Sequence, residues 1–396
     1  MSVNPFSISR LPSIVFGQGQ VKQLPTLIRQ FGQHALVVTG ARSFKQSAHW
    51  DGLVEGLAEV GVGFDEITVS GEPSPAVVDE AVAQFLGRGV QVVVGIGGGS
   101  VIDAAKAIAG LLPHGNSVMD HLEGVGRNIP YLGPSIPFLA VPTTAGAGSE
   151  ATKNSVLSIT GEFKKSFRHE CLVAQYAVVD PDLLTTCPPE LIAADGMDAF
   201  TQLLESFVSA RANPFTDALA KSGIEAFSEG FFAAWRGGDG ETASAGRASM
   251  AYAALLSGIT LAQAGLGSVH GLAAPLGAFY PIPHGLACGT LVAEATAVNI
   301  RVLQQGSPES PALEKYAQAA TLLCHRSFSN TGEACSELIG LLREWTETLG
   351  LKRLGDYGVL PSHVDRIVAN ARGNSMLTNP VLLTDGEIAE IVRARL

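Results

Sequence analysis

The sequence has few charged residues, few cysteines and no basic cluster, and each scarcity excludes a class of protein. Charged residues make up 16% of the 396 residues, and the net charge is −11 without any run of Lys or Arg, so nucleic acid is not an expected partner. The five cysteines are scattered and form no CxxC pair. This predicts reduced thiols in a cytoplasmic protein, and neither a disulfide framework nor a cysteine-ligated zinc site.

One uncharged stretch, residues 248–269, is long enough to cross a membrane. It is rich in Ala, Ser and Gly where a lipid-facing helix would carry Leu. We therefore expect a buried core helix that breaks at Gly265 and Gly267, and no membrane partner.

Glycine and proline are abundant, and several glycines directly follow apolar strands. The chain holds 45 Gly and 21 Pro. Short apolar runs alternate with helical patterns in the first half, which is typical of a parallel sheet with helical crossovers. The β signals then stop, and long helical patterns continue to the end. Because 396 residues exceed one typical core, we predict an α/β domain in residues 1–187 and an all-helical domain in residues 188–396.

The densest glycine cluster, GIGGGS, joins a buried strand to a helix. Bare amides at a helix N-terminus bind anions, and glycine lets a pyrophosphate approach the backbone closely. A tight turn is the alternative, but a turn needs fewer glycines than are present. Asp103 and Lys106, one turn further on, either face the cofactor or are solvated helix charges. The expected phosphate contacts are Gly97, Gly98, Gly99 and Ser100.

A second loop of small residues, PTTAGAGSE, follows another predicted strand. Thr143, Thr144 and Ser149 are small donors suited to hydrogen bonds with a dinucleotide. Two such loops at the carboxyl ends of parallel strands indicate a ligand crevice at that edge.

A carboxylate, an amide and two imidazoles are candidate metal ligands. Asp198 and Gln202 are four residues apart in DGMDAFTQLLESFVS, which we expect to open a helix, so they share one face. Taken alone, they are either metal ligands or a buried polar pair. His270 and His284 flank an apolar segment, and with Asp198 they form a set that suits Fe(II) or zinc. Such an ion would polarise a carbonyl or acidify an alcohol.

Together these segments resemble the iron-containing (group III) alcohol dehydrogenases over nearly the whole chain. The matching segments run in order from RLPSIVFGQG through GIGGGSVIDAAKAIA, VPTTAGAGSEATKNSV and DGMDAFTQ to VHGLAAPLGAFYPIPHG. The resemblance implies a Rossmann-like N-terminal α/β domain, an all-α C-terminal domain and an active site between them. It implies NAD(P)-dependent interconversion of an alcohol and an aldehyde or ketone by hydride transfer, assisted by a divalent metal, in a homodimer or larger homo-oligomer.

The resemblance also implies roles for individual residues. Lys164 contacts the cofactor, with Lys165 as the alternative register, and Asn154 lies near the substrate. The implied metal ligands are Asp198, Gln202, His270 and His284, of which Asp198, His270 and His284 also carry the catalysis. The implied cofactor contacts are Gly40, Gly97, Gly98, Gly99, Ser100, Asp103, Thr143, Thr144, Ser149 and Lys164.

The chain departs from the family pattern at three positions. Gln202 stands where the family has a metal-ligating histidine, and Ala274 replaces a histidine that lines the cleft. Gly40 replaces an aspartate that binds the adenosine ribose, and Arg42 and Lys45 follow it. Losing a carboxylate and gaining cations favours NADP over NAD, because the 2′-phosphate is no longer repelled.

Gln202 leaves open how well the site binds a metal and which reaction the protein catalyses. An amide oxygen binds iron or zinc more weakly than imidazole, so we expect a weakened or zinc-adapted site. A maleylacetate-reductase-like enzyme that works without relying on metal is one alternative. A dehydroquinate-synthase-like lyase and a non-catalytic dinucleotide-binding protein are further alternatives.

Overall fold

The computed structural model describes residues 5–396, which contain eight strands and thirteen α-helices. The strands are β1 (Ser13–Phe16), β2 (His34–Gly40), β3 (Gly63–Val69), β4 (Val92–Gly97), β5 (Phe138–Pro142), β6 (Asn154–Ile159), β7 (Phe163–Arg168) and β8 (Tyr176–Val179). The first helices are α1 (Leu24–Arg29), α2 (Ala48–Glu59), α3 (Pro75–Phe85), α4 (Gly99–Leu111), α5 (Pro189–Val208), α6 (Pro214–Arg236) and α7 (Glu241–Ala264). The remaining helices are α8 (Ser268–Phe279), α9 (His284–Gly306), α10 (Pro311–Cys324), α11 (Thr331–Thr348), α12 (Val364–Asn370) and α13 (Asp385–Arg393).

Six strands form a parallel sheet in the order β1-β8-β5-β4-β2-β3, with helices on both faces. The interior strand β4 is buried along its whole length, as its apolar sequence VVVGIG requires. α3 and α4 pack on one face of the sheet, and α1 and α2 pack on the other. The predicted fold class, an α/β half followed by a helical half, is confirmed.

Two neighbouring strands deliver the glycine-containing loops to the same edge of the sheet. Strand β2 pairs with both β3 and β4, so the strand order reverses beside β2. Gly97 at the end of β4 lies opposite Pro142 at the end of β5. Ligands of open α/β sheets bind outside the carboxyl ends of the strands at such a reversal. We call the segments 97–100 and 142–150 the nucleotide edge.

The sequence pattern did not predict β1 or the antiparallel hairpin of β6 and β7. β1 has only four residues, and β7 (FKKSFR) carries more charge than an ordinary buried strand. The hairpin contacts α4 through β6 and α8 through β7, so it connects the sheet to the helical half. It thereby brings Lys164 towards the helices.

The helical half is packed around α5. From Gly196 to Val208 every residue of this helix is buried, including its polar ones. The expectation that residue 195 opens the helix is wrong, since α5 begins at Pro189, where proline lacks only an N–H that would be unpaired anyway. The domain division at 187/188 stays a prediction.

The uncharged stretch is a bent pair of helices in the core. α7 ends at Ala264 and α8 begins at Ser268, with a bend of 101° between them at the expected glycines. Among the described residues, α9 is the single helix that is long and apolar enough by itself to cross a membrane. Because 72% of its most apolar window is buried, α9 has the character of a core helix.

The loop after β5 docks on α7 through backbone atoms. Gly148 has a φ of +61°, and a Cβ placed on Gly258 would lie 2.2 Å from the Gly148 carbonyl oxygen. Both positions therefore require glycine. This contact sets the distance between the nucleotide edge and the helices that face it.

Candidate active site

The first loop presents bare backbone at the start of α4. Gly97 closes β4, Gly98 is the N-cap of α4, and Ser100 lies in the first turn of that helix. A Cβ on Gly98 would lie 3.3 Å from Thr144, and one on Gly99 would lie 3.0 Å from the second loop. Glycine is thus needed for the packing of the two loops, and it leaves a helix N-terminus that suits phosphate oxygens.

The second loop borders an open cavity. The Thr143 amide donates to the Gly97 carbonyl oxygen at 3.0 Å. With segments 43–49 and 182–186, Thr143 lines this cavity.

Lys106 holds the second loop through hydrogen bonds, and Asp103 holds the strand β6 that follows the loop. Lys106 has no exposed surface, and its Nζ donates to the Ser149 carbonyl oxygen at 2.8 Å and to Thr152 Oγ1 at 3.0 Å. Asp103 Oδ2 accepts from the Val156 amide at 3.0 Å. Burial lowers the pKa of Lys106 to about 8, although Asp103 opposes the shift. The alternative of solvated helix charges is wrong, because both residues are buried. A cofactor contact by Asp103 stays a prediction.

The hairpin places Lys164 near the helices. Its Nζ lies 3.0 Å from Glu72 Oε2, and its charge contributes to lowering the pKa of His284. Of the two candidate lysines this is the half-buried one, whereas the next residue is exposed. Asn154 begins β6, and its backbone carbonyl accepts from Lys106 Nζ at 2.5 Å. The cofactor contact of Lys164 and the substrate contact of Asn154 stay predictions.

Four ligand-type side chains from three helices converge opposite the nucleotide edge. Asp198 from α5, His270 from α8, and His284 and Cys288 from α9 each place one such atom within 4.8 Å of the others. Asp198 Oδ1 lies 3.2 Å from His270 Nε2 and 3.9 Å from His284 Nε2. Cys288 Sγ lies 3.6 Å and 3.9 Å from the same nitrogens. We call these residues the ion cluster, since a carboxylate, two imidazoles and a thiol fit a divalent transition-metal ion.

The sequence did not predict Cys288, because the absence of a CxxC pair argued against a cysteine-ligated zinc site. The sequence feature that could have identified Cys288 is its spacing from His284. The two residues lie four apart at the start of α9 and therefore share one face of that helix.

Glu205 was also missed, and it orients His270. Its Oε2 lies 2.7 Å from His270 Nδ1, and its Oε1 accepts from the Val269 amide at 2.7 Å. With Nδ1–H donated to this carboxylate, His270 Nε2 points into the ion cluster, where its lone pair would bind an ion once Nε2 has lost its proton. The sequence feature that could have identified Glu205 is its helical spacing from Asp198 and Gln202, which places the three polar residues on one face of α5.

Gln202 connects two helices. It is 3% exposed, and its Oε1 lies 2.7 Å from Ser257 Oγ on α7. Ser257 directly precedes Gly258, on which the second loop docks. Gln202 therefore links α5 to the part of α7 that positions the nucleotide edge. Its service as a metal ligand stays a prediction.

The charges of the ion cluster are strongly coupled. Burial opposes ionisation of Asp198, but His284 and His270 lower the pKa of this carboxyl to about 2. Burial lowers the pKa of His284 to about 4 and raises the pKa of Cys288 to about 12. Burial also disfavours charge on His270, but Cys288, Asp198 and Glu205 raise its pKa well above the usual value. By themselves these groups form a carboxylate–imidazolium pair beside a neutral imidazole and a thiol.

A parallel sheet with a glycine-rich edge, facing buried carboxylate and imidazole groups on helices, is the arrangement expected of an oxidoreductase that binds a dinucleotide beside a metal centre. The chain belongs to the iron-containing alcohol dehydrogenase family. Residues 12–181 match the family described as iron-containing alcohol dehydrogenase, and residues 192–396 match its C-terminal family. The resemblance stated from the sequence is thereby confirmed.

Relatives and a solved structure match along nearly the whole chain. An NADPH-dependent butanol dehydrogenase of Clostridium saccharobutylicum is 31% identical over 387 residues, covering 96% of this chain and 95% of that protein. An NAD-dependent methanol dehydrogenase of Bacillus methanolicus is 31% identical over 393 residues, covering 96% and 97%. The crystal structure of a 1,3-propanediol oxidoreductase superposes with a TM-score of 0.89 at 27% identity, covering 99% and 100%. The protein is therefore an oxidoreductase of the alcohol dehydrogenase type.

Proposed function

We propose that the protein transfers a hydride reversibly between the nicotinamide C4 and the carbon of a small alcohol or aldehyde, in the cleft between the sheet and the helices. The contact between the two halves supports this proposal. A Cβ on Gly146 in the second loop would lie 2.8 Å from Asp195 Cβ, and Asp195 lies one turn before Asp198 on α5. A cofactor bound at the nucleotide edge therefore has the ion cluster beside it.

Asp198, His270 and His284 would hold the divalent ion that the family name implies. When bound, such an ion acts as a Lewis acid that stabilises an alkoxide. Glu205 fixes the orientation of His270, and the burial of Asp198 keeps water from screening its charge. The residues present fit the ion, because their ligand atoms face one centre.

No histidine stands at position 274 to take up the proton that the alcohol releases. Ala274 lies one turn after His270 on α8 and is exposed. With a methyl group at this position, we assign the proton transfer to water or to the cofactor ribose. Ala274→His would provide an imidazole there, and its effect on the pH dependence of turnover would test the assignment.

We propose NADP(H) as the preferred cofactor on the basis of charge at the end of β2. Gly40 presents no carboxylate to a 2′-phosphate, and Arg42 is exposed next to it. Lys45 contributes less, because its Nζ donates to Glu66 Oε1 at 3.1 Å and to Thr68 Oγ1 at 2.8 Å. The two relatives named above use different cofactors, so their names are compatible with either.

We further propose a homodimer or larger homo-oligomer in the cytoplasm. Strand β1 is an edge of the sheet, and its Ile14 and Phe16 are 42% and 39% exposed. An apolar edge strand is a surface on which a second copy can pair. All five cysteines are free, as is usual in a reducing compartment.

The activity is tested by following reduced-nicotinamide absorbance with purified protein and a panel of small aldehydes. We expect NADPH to be oxidised faster than NADH, and activity to be lost in strong chelator and restored by zinc or Fe(II). If no aldehyde in the panel is turned over, the result would favour a non-catalytic dinucleotide-binding protein. Full activity in chelator would favour a metal-independent reductase.

A further inference from the structure

We propose that Cys288 is the fourth protein ligand of the metal in this chain, and that its thiolate takes the place of Gln202. The inference rests on the proposed function, because it assigns a residue to the ion of the same site. It completes a ligand set of one carboxylate, two imidazoles and one thiolate, of which the sequence predicted only the first three.

The distances fit a sulfur ligand. Zinc–sulfur bonds of about 2.3 Å and zinc–nitrogen bonds of about 2.0–2.1 Å, at tetrahedral angles, separate sulfur from nitrogen by about 3.6 Å. Cys288 Sγ lies 3.6 Å from His270 Nε2 and 3.9 Å from His284 Nε2. The carboxylate oxygen of Asp198 lies 3.2 Å from the first of these nitrogens. All four ligand atoms lie within 4.8 Å of one another, so a tetrahedral ion would draw the more distant pairs together.

A second buried thiol shows that this environment is specific to Cys288. Cys288 and Cys335 are 0% and 1% exposed. Cys335 Sγ lies 3.7 Å from the Leu313 carbonyl oxygen, an ordinary setting for a cysteine that behaves as a small apolar side chain. Cys288 faces two imidazole nitrogens and a carboxylate.

Gln202 is the weaker candidate for the fourth position. Its amide is neutral, and its Oε1 is already 2.7 Å from Ser257 Oγ. A thiolate carries a full charge and is a ligand that zinc accepts readily. We therefore expect the protein to retain zinc in preference to iron.

Binding of the ion deprotonates the thiol without any redox change, and the Nε2 proton of the His270 imidazolium also leaves to solvent so that the nitrogen lone pair can bind the ion. The Sγ–H bond breaks, its proton leaves to solvent, and the electron pair left on sulfur forms the bond to the cation. The carboxylate of Asp198 lies among the same ligand atoms and adds its negative charge.

Cobalt(II) reports this bond directly, because a thiolate ligand adds a sulfur-to-metal charge-transfer band. Full-length apoprotein is titrated with Co²⁺, and zinc affinity is measured by competition. We expect the band in the wild type and in Cys335→Ala, the matched control. We expect it to be absent in Cys288→Ala and Cys288→Ser, with zinc affinity reduced at least about a hundredfold, since even groups that only orient ligands contribute roughly 10–100-fold.

Circular dichroism and thermal midpoints in chelator separate ligand loss from misfolding, and the Cys288 variants should match the wild type there. Persistence of the band in Cys288→Ala, or cobalt binding to the wild type without the band, overturns the assignment. In Gln202→Ala the band and the ion should remain, and release of the ion would assign the fourth position to Gln202. Aldehyde turnover without the band overturns the ligand assignment alone, whereas the band without any turnover overturns the proposed function alone.

Discussion

The nucleotide edge and the ion cluster face the same cleft, but different kinds of atoms form them. At the edge, backbone amides and small side chains come from two contiguous segments, 97–100 and 142–150. In the ion cluster, side chains from α5, α8 and α9 meet across most of the helical half. A backbone site depends on motifs that cannot change without steric conflict. A side-chain site can gain a ligand at one position when another position loses its ligand, provided that both point to the same centre.

The largest effect is expected when the ion cluster loses its carboxylate. Asp198→Ala should lower kcat/KM by about 10³–10⁴-fold, or roughly 4–5.5 kcal/mol, because the only carboxylate ligand of the cation is removed. Steady-state kinetics and metal content measure the effect. Asp217→Ala is the control, since Asp217 pairs with Lys315 at 2.7 Å elsewhere in the helical half. Turnover of Asp198→Ala within tenfold of the wild type would contradict the assigned role.

The support of the nucleotide edge should be most sensitive at Lys106, the buried cation of α4. Lys106→Met should reduce the free energy of unfolding by about 3–5 kcal/mol, because Asp103 would keep a buried charge without its partner, 3.8 Å away. The KM for the cofactor should also rise, since Lys106 holds the Ser149 carbonyl. Urea denaturation measures stability, and Lys153→Met, in a more exposed pair with Glu170, is the control. Equal losses in the two variants would show that the buried pair has no special role.

The same contrast explains what the sequence could predict. GIGGGS predicted a strand, a turn and a helix start together, because each step needs a residue type that stands in the sequence. Asp198, His270 and His284 were predicted to meet through residue type and resemblance, and the structure does bring them together. Cys288 was not predicted, because its role depends on the packing of α9 against α5 and α8. The burial of Lys106 was not predicted, because the sequence of a helix does not show whether one of its lysines is buried.

The stability of the folded protein should depend on pH through Asp195, which lies between the two sites. Burial raises the pKa of Asp195 from 3.8 to about 7, and Asp198 adds to this shift. The folded state then binds the proton more tightly than the unfolded state, so this group lowers stability progressively from about pH 4 to pH 7, with the full penalty above pH 7. The ceiling is roughly 4 kcal/mol.

Asp195→Asn should remove that dependence. Because a half-buried amide keeps part of the desolvation cost, we expect the variant to gain about 2 kcal/mol over the wild type at pH 8 and much less at pH 4. Denaturation of the metal-free protein across this range measures the difference. Glu190→Gln, a change in the exposed first turn of α5, is the control. A gain that does not vary with pH would show that Asp195 is ionised in both states.

The smallest expected effect lies at the end of β2, where a single charge should set the choice of cofactor. Gly40→Asp should shift the ratio of kcat/KM for NADPH and NADH about tenfold towards NADH, or about 1.4 kcal/mol, because the new carboxylate repels the 2′-phosphate. The side chain fits, since a Cβ there would meet only Val101 Cγ2, at 3.8 Å. Gly340→Asp adds the same charge on α11, where a Cβ meets nothing within 4 Å, and should leave the ratio unchanged. An unchanged ratio in Gly40→Asp would mean that the 2′-phosphate binds away from β2, and a shift in both variants would mean that net charge alone acts.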